Sequence, residues 1–315
     1  MKKFVALCYI ILLVLVAGCG GGVKEPQKQG TVRMPLVIGL MPDTDSAPFI
    51  VAREKGFFEA EGIEVTLRHF KSAMDRDAAM QSGNLDGAVS DLLAAAFLKA
   101  GGFDVKVTSM TNGSYRLVAG KGRSFDGVRS LRGKEVAVSS NTIIEYVTDR
   151  ILEHNDMTSD AIRKVAIPQI PARLEMLQHG KLDAATLPEP MASVAVAGGC
   201  TYLTGSDELG INPGIMLFSA KSAAEKKEQI GAMYRAYNKA VEYLANTPRA
   251  SYIDMLAEKS GFPAAAKEAL KLPMYHKAVR PKEKDVAEVM EWLRTKGLIK
   301  ENYSYDDLVA GDVLP

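Results

Sequence analysis

Residues 81–102 read QSGNLDGAVSDLLAAAFLKAGG, and most of that stretch returns 97 residues later as QHGKLDAATLPEPMASVAVAGG at residues 178–199. In this ungapped register Gln81, Gly83, Leu85, Asp86, Ala88, Ala95, Ala100, Gly101 and Gly102 recur as Gln178, Gly180, Leu182, Asp183, Ala185, Ala192, Ala197, Gly198 and Gly199. Nine identities in one register mean that the chain contains one structural unit twice. Each copy has the same physical reading. A helix closes at Gly83 or Gly180, where glycine tolerates the left-handed backbone of a helix end, and a short apolar run then makes a buried strand. A helix of small residues follows and stops at paired glycines. The turn between strand and helix is Ser90-Asp91 in the first copy and Leu187-Pro188-Glu189-Pro190 in the second. Ligands of open α/β sheets sit beyond the carboxyl ends of the strands, so two α/β lobes with equivalent turns predict a cleft with one wall from each.

The rest of the chain fits around these copies. Residues 36–40 read as a first buried strand, followed by Asp43-Thr44-Asp45-Ser46-Ala47-Pro48, a turn rich in helix-capping residues with Pro48 suited to a first helical turn. A helix over 49–60, a strand over 63–70 and a helix over 73–82 deliver the chain into the first copy. A strand over 103–110 leaves it, residues 115–119 cross outward, and 121–132 form a Gly-rich charged connector. The alternation then restarts. A strand over 135–139, the capping turn Ser140-Asn141-Thr142, a helix over 143–154, a strand over 165–167 and a helix over 172–180 lead into the second copy. Strands over 201–203 and 215–219 follow, and everything beyond is helical, with runs at 223–246, 249–260, 264–270 and 284–296, the last carrying the only tryptophan, Trp292. The expected division is a discontinuous first lobe, 35–120 with 216–315, and an inserted second lobe, 121–215. Two crossings near 115–121 and 215–219 would form the hinge.

The N-terminus reads as an address label. Lys2 and Lys3 precede an apolar run of fourteen residues, 4–17, and then Gly18-Cys19. Fourteen residues are too few for a bilayer, which needs about 20. The pattern resembles a bacterial lipoprotein signal peptide over 1–18, and that resemblance implies a lipid anchor on Cys19. Residues 19–34 are polar and aperiodic, as a flexible tether should be. The whole chain has 39 Lys and Arg against 38 Asp and Glu; the leader holds two Lys and no acid, leaving 37 against 38. This balance implies no nucleic-acid partner. Of three cysteines, Cys8 lies in the leader and Cys19 carries the anchor, so Cys200 stands alone, with neither a disulfide framework nor zinc-finger spacing.

With these residues laid out, the chain resembles the substrate-binding proteins of ABC importers, in the group of nitrate, sulfonate, taurine and thiamine-pyrimidine-precursor binders. The stretches that carry the resemblance are APFIVAREKGFFEAEGIEV (47–65), SGNLDGAVSD (82–91), SLRGKEVAV (130–138) and LDAATLPEPMA (182–192). The resemblance implies a type II periplasmic-binding-protein fold, in which two α/β lobes joined by a two-strand hinge close over a small molecule and present it to a membrane permease with its cytoplasmic ATPase. It also implies export, a cell-membrane location facing the periplasm or exterior, and a monomer. Neither bond chemistry nor a cofactor or metal is expected. The four histidines, at 69, 154, 179 and 276, have no metal-binding spacing, and GxSxG, HExxH and GxxxxGK[ST] motifs are absent.

The turns that face the cleft supply the candidate ligand residues. These are Asp43, Thr44, Asp45, Ser46 and Phe49 from the first, Ser90 and Asp91 from the second, Ser139, Ser140, Asn141, Thr142, Glu145 and Tyr146 from the third, and Pro188 and Glu189 from the fourth, with Asn112 near the hinge. Each acid also suits a helix cap, and Thr142 to Glu145 fits a capping box. Read together, four turns carrying acids and no Lys or Arg point to a cationic or amine-bearing ligand, a thiamine-pyrimidine-like compound among them, with Phe49 or Tyr146 placed to stack on a flat ring. The hydroxyls and helix starts at Thr44, Ser46, Ser139, Ser140, Asn141 and Thr142 leave open the alternative of nitrate, a sulfonate or another anion. A ligand sensor or adhesin without a permease is a third reading.

Overall fold

The computed structural model describes residues 34–310 and 313–315. The leader, Cys19 and the tether apart from Met34 lie outside the described residues. No described helix is long and apolar enough to cross a membrane.

The first half begins with β1 (Leu36–Leu40), α1 (Ala47–Glu54), α2 (Phe57–Ala60), β2 (Val65–His69), α3 (Ala73–Gln81), β3 (Gly87–Asp91), α4 (Leu92–Ala100) and β4 (Val105–Met110). The single helix expected over 49–60 is two, because Gly56 takes φ 71° between them. The second half contains β5 (Tyr115–Ala119), β6 (Glu135–Val138), α5 (Ile143–His154), β7 (Arg163–Ala166), α6 (Ile170–Gln178), β8 (Ala184–Pro188), α7 (Met191–Ala197) and β9 (Thr201–Gly205). The chain then returns through β10 (Gly214–Ser219) into α8 (Ala220–Glu225), α9 (Lys227–Asn246), α10 (Ile253–Lys259), α11 (Ala266–Ala269), α12 (Glu283–Thr295) and α13 (Tyr305–Leu308).

Two five-stranded sheets result, in the orders β2-β1-β3-β10-β4 and β7-β6-β8-β5-β9. The fourth position of each is antiparallel, and it is filled by the strand that has just crossed from the other half: β10 pairs β3 and β4, and β5 pairs β8 and β9. Residues 115–120, expected in the first lobe, therefore belong with the second sheet. The crossings fall earlier than expected, at 111–114 and just before β10. The Gly-rich connector that drew the boundary in the sequence lies within the second half, and its 3₁₀ turn at Val128–Leu131 buries Val128 and Leu131. At the crossings the two segments bond to each other, Thr111 N–H to the Gly214 carbonyl at 3.0 Å and Asn212 Nδ2 to the Thr111 carbonyl at 2.6 Å.

The repeat is preserved in detail. Shifting α3 and β3 by 97 residues reproduces the bounds of α6 and β8. Gly83 and Gly180 end the helices at φ 74° and 66°, and Gly102 and Gly199 close the copies at 83° and 95°. Leu85 and Leu182 are buried in both, and the adjoining acids do the same work: Asp86 accepts from Val37 N–H at 2.8 Å and Asp183 from Glu135 N–H at 3.0 Å. Each aspartate thus fastens its strand to the start of the neighbouring parallel strand.

The C-terminal helices complete the first half and reach the second. Phe49 of α1 packs on Tyr237 of α9 with ring centroids 4.9 Å apart. Trp292 of α12 meets Tyr146 of α5 edge-on at 5.6 Å and donates to Asp149 Oδ2 at 3.1 Å.

Candidate functional site

The residues just beyond the carboxyl ends of β1, β3, β6 and β8 surround a narrow cavity. Four hydrogen bonds cross between the halves around it. Thr44 N–H donates to the Glu189 carbonyl at 2.9 Å, Ile170 N–H to the Lys71 carbonyl at 3.1 Å, Tyr115 Oη to Asp45 Oδ2 at 3.2 Å, and Gln169 Nε2 to Asp75 Oδ2 at 2.9 Å. The cleft is closed.

The β1 turn supplies the acidic wall. Asp43 caps the short 3₁₀ turn at Thr44–Ser46, accepting from Ser46 N–H at 3.2 Å and from Ser46 Oγ at 3.1 Å. Asp45 is buried with its Oδ1 lacking a donor at bonding geometry. Burial raises Asp43 to about 6 despite the Ser46 bonds, and burial together with the neighbouring Asp43 carboxyl raises Asp45 to about 8. The first crossing passes hard against this pair. A Cβ on Gly113 would stand 2.7 Å from Tyr115 Oη and closer still to Asp45 Oδ2, which only glycine avoids.

The β3 turn adds Ser90 and Asp91, and Asp91 caps α4 by accepting from Ala94 N–H at 2.9 Å. Beside it lies Arg76 of α3, 2% exposed, with Nε 2.8 Å from Asp77 Oδ1 and an amino nitrogen 3.9 Å from Asp91 Oδ2. Burial opposes its charge, but Asp77 and Asp91 outweigh burial and raise its pKa.

In the second copy Arg76 returns as Arg173 on α6, at the same 97-residue spacing. Its counter-ions do not return. The positions of Asp77 and Asp91 hold Leu174 and Pro188. Arg173 is 0% exposed, donates once, from Nη1 to the Ile167 carbonyl at 2.6 Å, and has Nε and Nη2 buried without partners. Burial alone lowers its pKa to about 10. It therefore remains a cation at neutral pH, on the cavity wall.

Of the residues singled out from sequence, Asp43, Asp45, Ser90, Asp91, Ser139, Thr142 and Pro188 line the cavity. The others do not. Glu145 turns away from the wall: Oε1 lies 2.8 Å from Lys164 Nζ and 2.6 Å from Lys296 Nζ, and Oε2 accepts from Asn141 N–H rather than from Thr142 as a capping box requires. Burial works against the Glu145 charge, yet these donors hold its pKa down at about 2. Glu189 is 1% exposed, with Oε1 2.6 Å from Arg116 and both oxygens taken by Ser193 of α7. Phe49 and Tyr146 are core residues, and Ser46 closes on Met41 and Asp43. Asn112 accepts from His276 N–H at 2.8 Å, Ser140 and Asn141 are exposed, and Thr44 is buried behind the wall, its carbonyl taken by Tyr275.

The sequence reading missed both arginines, because it looked at turns and these side chains come from the preceding helices. The signal existed, since Arg76 and Arg173 keep the register of the repeat. It also missed the apolar share of the wall, chiefly Met41, Ile143, Ile144, Pro168 and Ile170. Among the described residues no group of three or more His, Cys, Asp or Glu could hold a metal ion.

The chain is similar in structure to three solved proteins. The alkanesulfonate-binding protein SsuA from Xanthomonas axonopodis pv. citri, bound to MOPS, matches at TM-score 0.74 and 20% identity over 88% of this chain and 98% of that one. The ligand-binding component of an ABC-type import system from Staphylococcus aureus, with zinc bound, matches at 0.75 and 14% over 89% and 98%. The nitrate-binding protein NrtA from Synechocystis PCC 6803 matches at 0.70 and 13% over 88% and 84%. No curated protein sequence matches. The fold is that of the type II periplasmic-binding proteins. The sequence profile described as NMT1/THI5 like matches residues 43–251, more than half of the chain, and the chain belongs to that family.

Proposed function

We propose that this protein is the substrate-binding component of an ABC-type importer, anchored through Cys19, and that it captures a small organic molecule bearing a cationic nitrogen in the cavity between its halves. The observation that carries this reading is the buried Asp43–Asp45 pair on the cavity wall: burial raises both carboxyls, Arg76 offsets this only in part at Asp43, and Asp45 lacks a compensating charge. An ammonium or protonated amine between them would supply it. A thiamine-pyrimidine-like amine is one candidate of that class.

Capture works by closure. The halves move as lobes about the crossings at 111–114 and before β10, and a ligand touching both walls favours the closed state by the free energy of contacts that the open state lacks. A permease then reads the closed form. The sulfonate and nitrate ligands of the similar structures support a small-molecule role, and Arg173 favours an anionic group in the same cavity.

The test is a thermal-shift panel on the full-length chain in detergent, using thiamine-pyrimidine precursors, alkylamines, nitrate and alkanesulfonates. A ligand at a hundredfold excess over its Kd adds about 2.7 kcal/mol of stability. Stabilisation by amine-bearing compounds supports the reading. Stabilisation by anions alone would assign the acids to capping and refute it.

A further inference from the structure

The two copies of the repeat differ where it matters chemically. Both bring an arginine from the helix before the strand to the cavity wall, Arg76 and Arg173. The first copy offsets the charge of its arginine with Asp77 and Asp91, although Arg76 Nη2 makes no hydrogen bond; the second replaces those acids with Leu174 and Pro188 and leaves two guanidinium nitrogens buried with neither a hydrogen bond nor a counter-ion. A fully buried cation without a counter-ion is costly, and folded proteins hold such groups where a ligand completes them. Across the cavity Asp45 presents the complementary defect, a buried carboxylate oxygen without a donor, and Asp43 stands beside it. Asp45 lacks the charge that Arg173 carries, and Arg173 the charge that Asp45 can carry, yet among the described residues no ion pair joins them.

We infer that the cavity accepts a bipolar ligand, one that places a cationic nitrogen at Asp43 and Asp45 and an oxyanion, carboxylate or sulfonate, at Arg173. This rests on the proposed binding function and adds the second pole to it. The guanidinium fork, with Nη1 held by the Ile167 carbonyl, offers Nε and Nη2 to the oxyanion, the side-on geometry that suits two oxygens of one acid. The apolar side chains of Ile143, Ile144 and Ile170 line the wall alongside, suited to an aliphatic or flat spacer.

Matched probes test this on the full-length chain: ω-aminoalkanoates and ω-aminoalkanesulfonates of two to six carbons, the alkylamines lacking the acid, and the alkanoates and alkanesulfonates lacking the amine. Calorimetric titration of the wild type should show at least one bipolar probe binding tenfold or more tighter than both of its truncated forms. Arg173→Met should abolish that advantage over the amine and keep amine binding; Asp45→Asn should abolish the advantage over the acid. Arg173→Lys should recover part of the loss, which a purely structural role would not predict. If amines bind as tightly as bipolar probes, the second pole falls and the proposed function stands. If acids alone match the bipolar probes, the bipolar inference and the amine reading fall together. No binding by any probe overturns both.

Discussion

Arg173→Met isolates the charge that the cavity leaves unpaired. In the wild type, burial lowers the guanidinium from its ordinary value to about 10. That difference corresponds to about 3 kcal/mol of disfavoured charge in the folded state. The sign follows from linkage: a base with a depressed folded pKa carries its full penalty below that pKa, and the penalty fades only as pH rises above about 10 towards the ordinary guanidinium value. At neutral pH the whole of it is present. Methionine keeps the apolar stem and removes the charge. It also removes the Ile167 hydrogen bond, which offsets about 1 kcal/mol of the gain. A net stabilisation of about 2 kcal/mol should raise the unliganded Tm by roughly 4–8 °C for a domain of this size. The same variant should lose binding of oxyanion-bearing probes. Thermal denaturation followed by circular dichroism, without and with probe, measures both. A fall in Tm of several degrees would mean that Arg173 supports the fold through contacts the reasoning omits, and would refute its assignment as a ligand pole.

Three further outcomes follow from the same geometry. The Asp43–Asp45 pair titrates between about 6 and about 8 among Arg76, Asp91, Tyr115, Tyr237 and Tyr275, so cation affinity should climb about tenfold per pH unit toward 8 and then level; unliganded stability should move oppositely, since carboxyls with raised folded pKa values favour folding below about 4 and lose that contribution as pH rises through 6 to 8. Calorimetry across that range decides it, and a flat profile would contradict the acidic pole. Glu145→Gln and Glu189→Gln should lower Tm by several degrees, because each breaks a buried or half-buried ion pair, while leaving probe affinity within about threefold. Gly113→Ala should fold but bind amines at least tenfold more weakly, since the new methyl must displace Asp45 or Tyr115; unchanged affinity would detach the crossing from the site.

The repeat made the architecture legible. Gly83, Gly180, Gly102 and Gly199 occupy left-handed positions that few other residues tolerate, so their spacing announced helix ends that the structure keeps to within one or two residues. Sheet membership was less accessible, because β5 and β10 each pair with strands distant in sequence and local pattern cannot say which half will claim them. The turns place Asp43, Asp45, Ser90 and Asp91 on the cavity wall. Glu145 and Glu189 looked equivalent to them, but Lys164, Lys296 and Arg116, the last from the neighbouring strand β5, draw them away from the wall. Arg173 was hidden for the opposite reason. Its meaning lies in the absence of Asp77 and Asp91 equivalents, which is visible only when the two copies are compared position by position.

Native mass spectrometry of the full-length protein, purified gently from detergent-solubilised membranes and sprayed under non-denaturing conditions, tests the central claim most directly. The account predicts a bound small molecule at one per chain, carrying both a basic nitrogen and an acid group by fragmentation, and lost from Asp45→Asn and Arg173→Met. A protein that emerges without such a mass, and that takes up none of the bipolar, cationic or anionic probes, would contradict it.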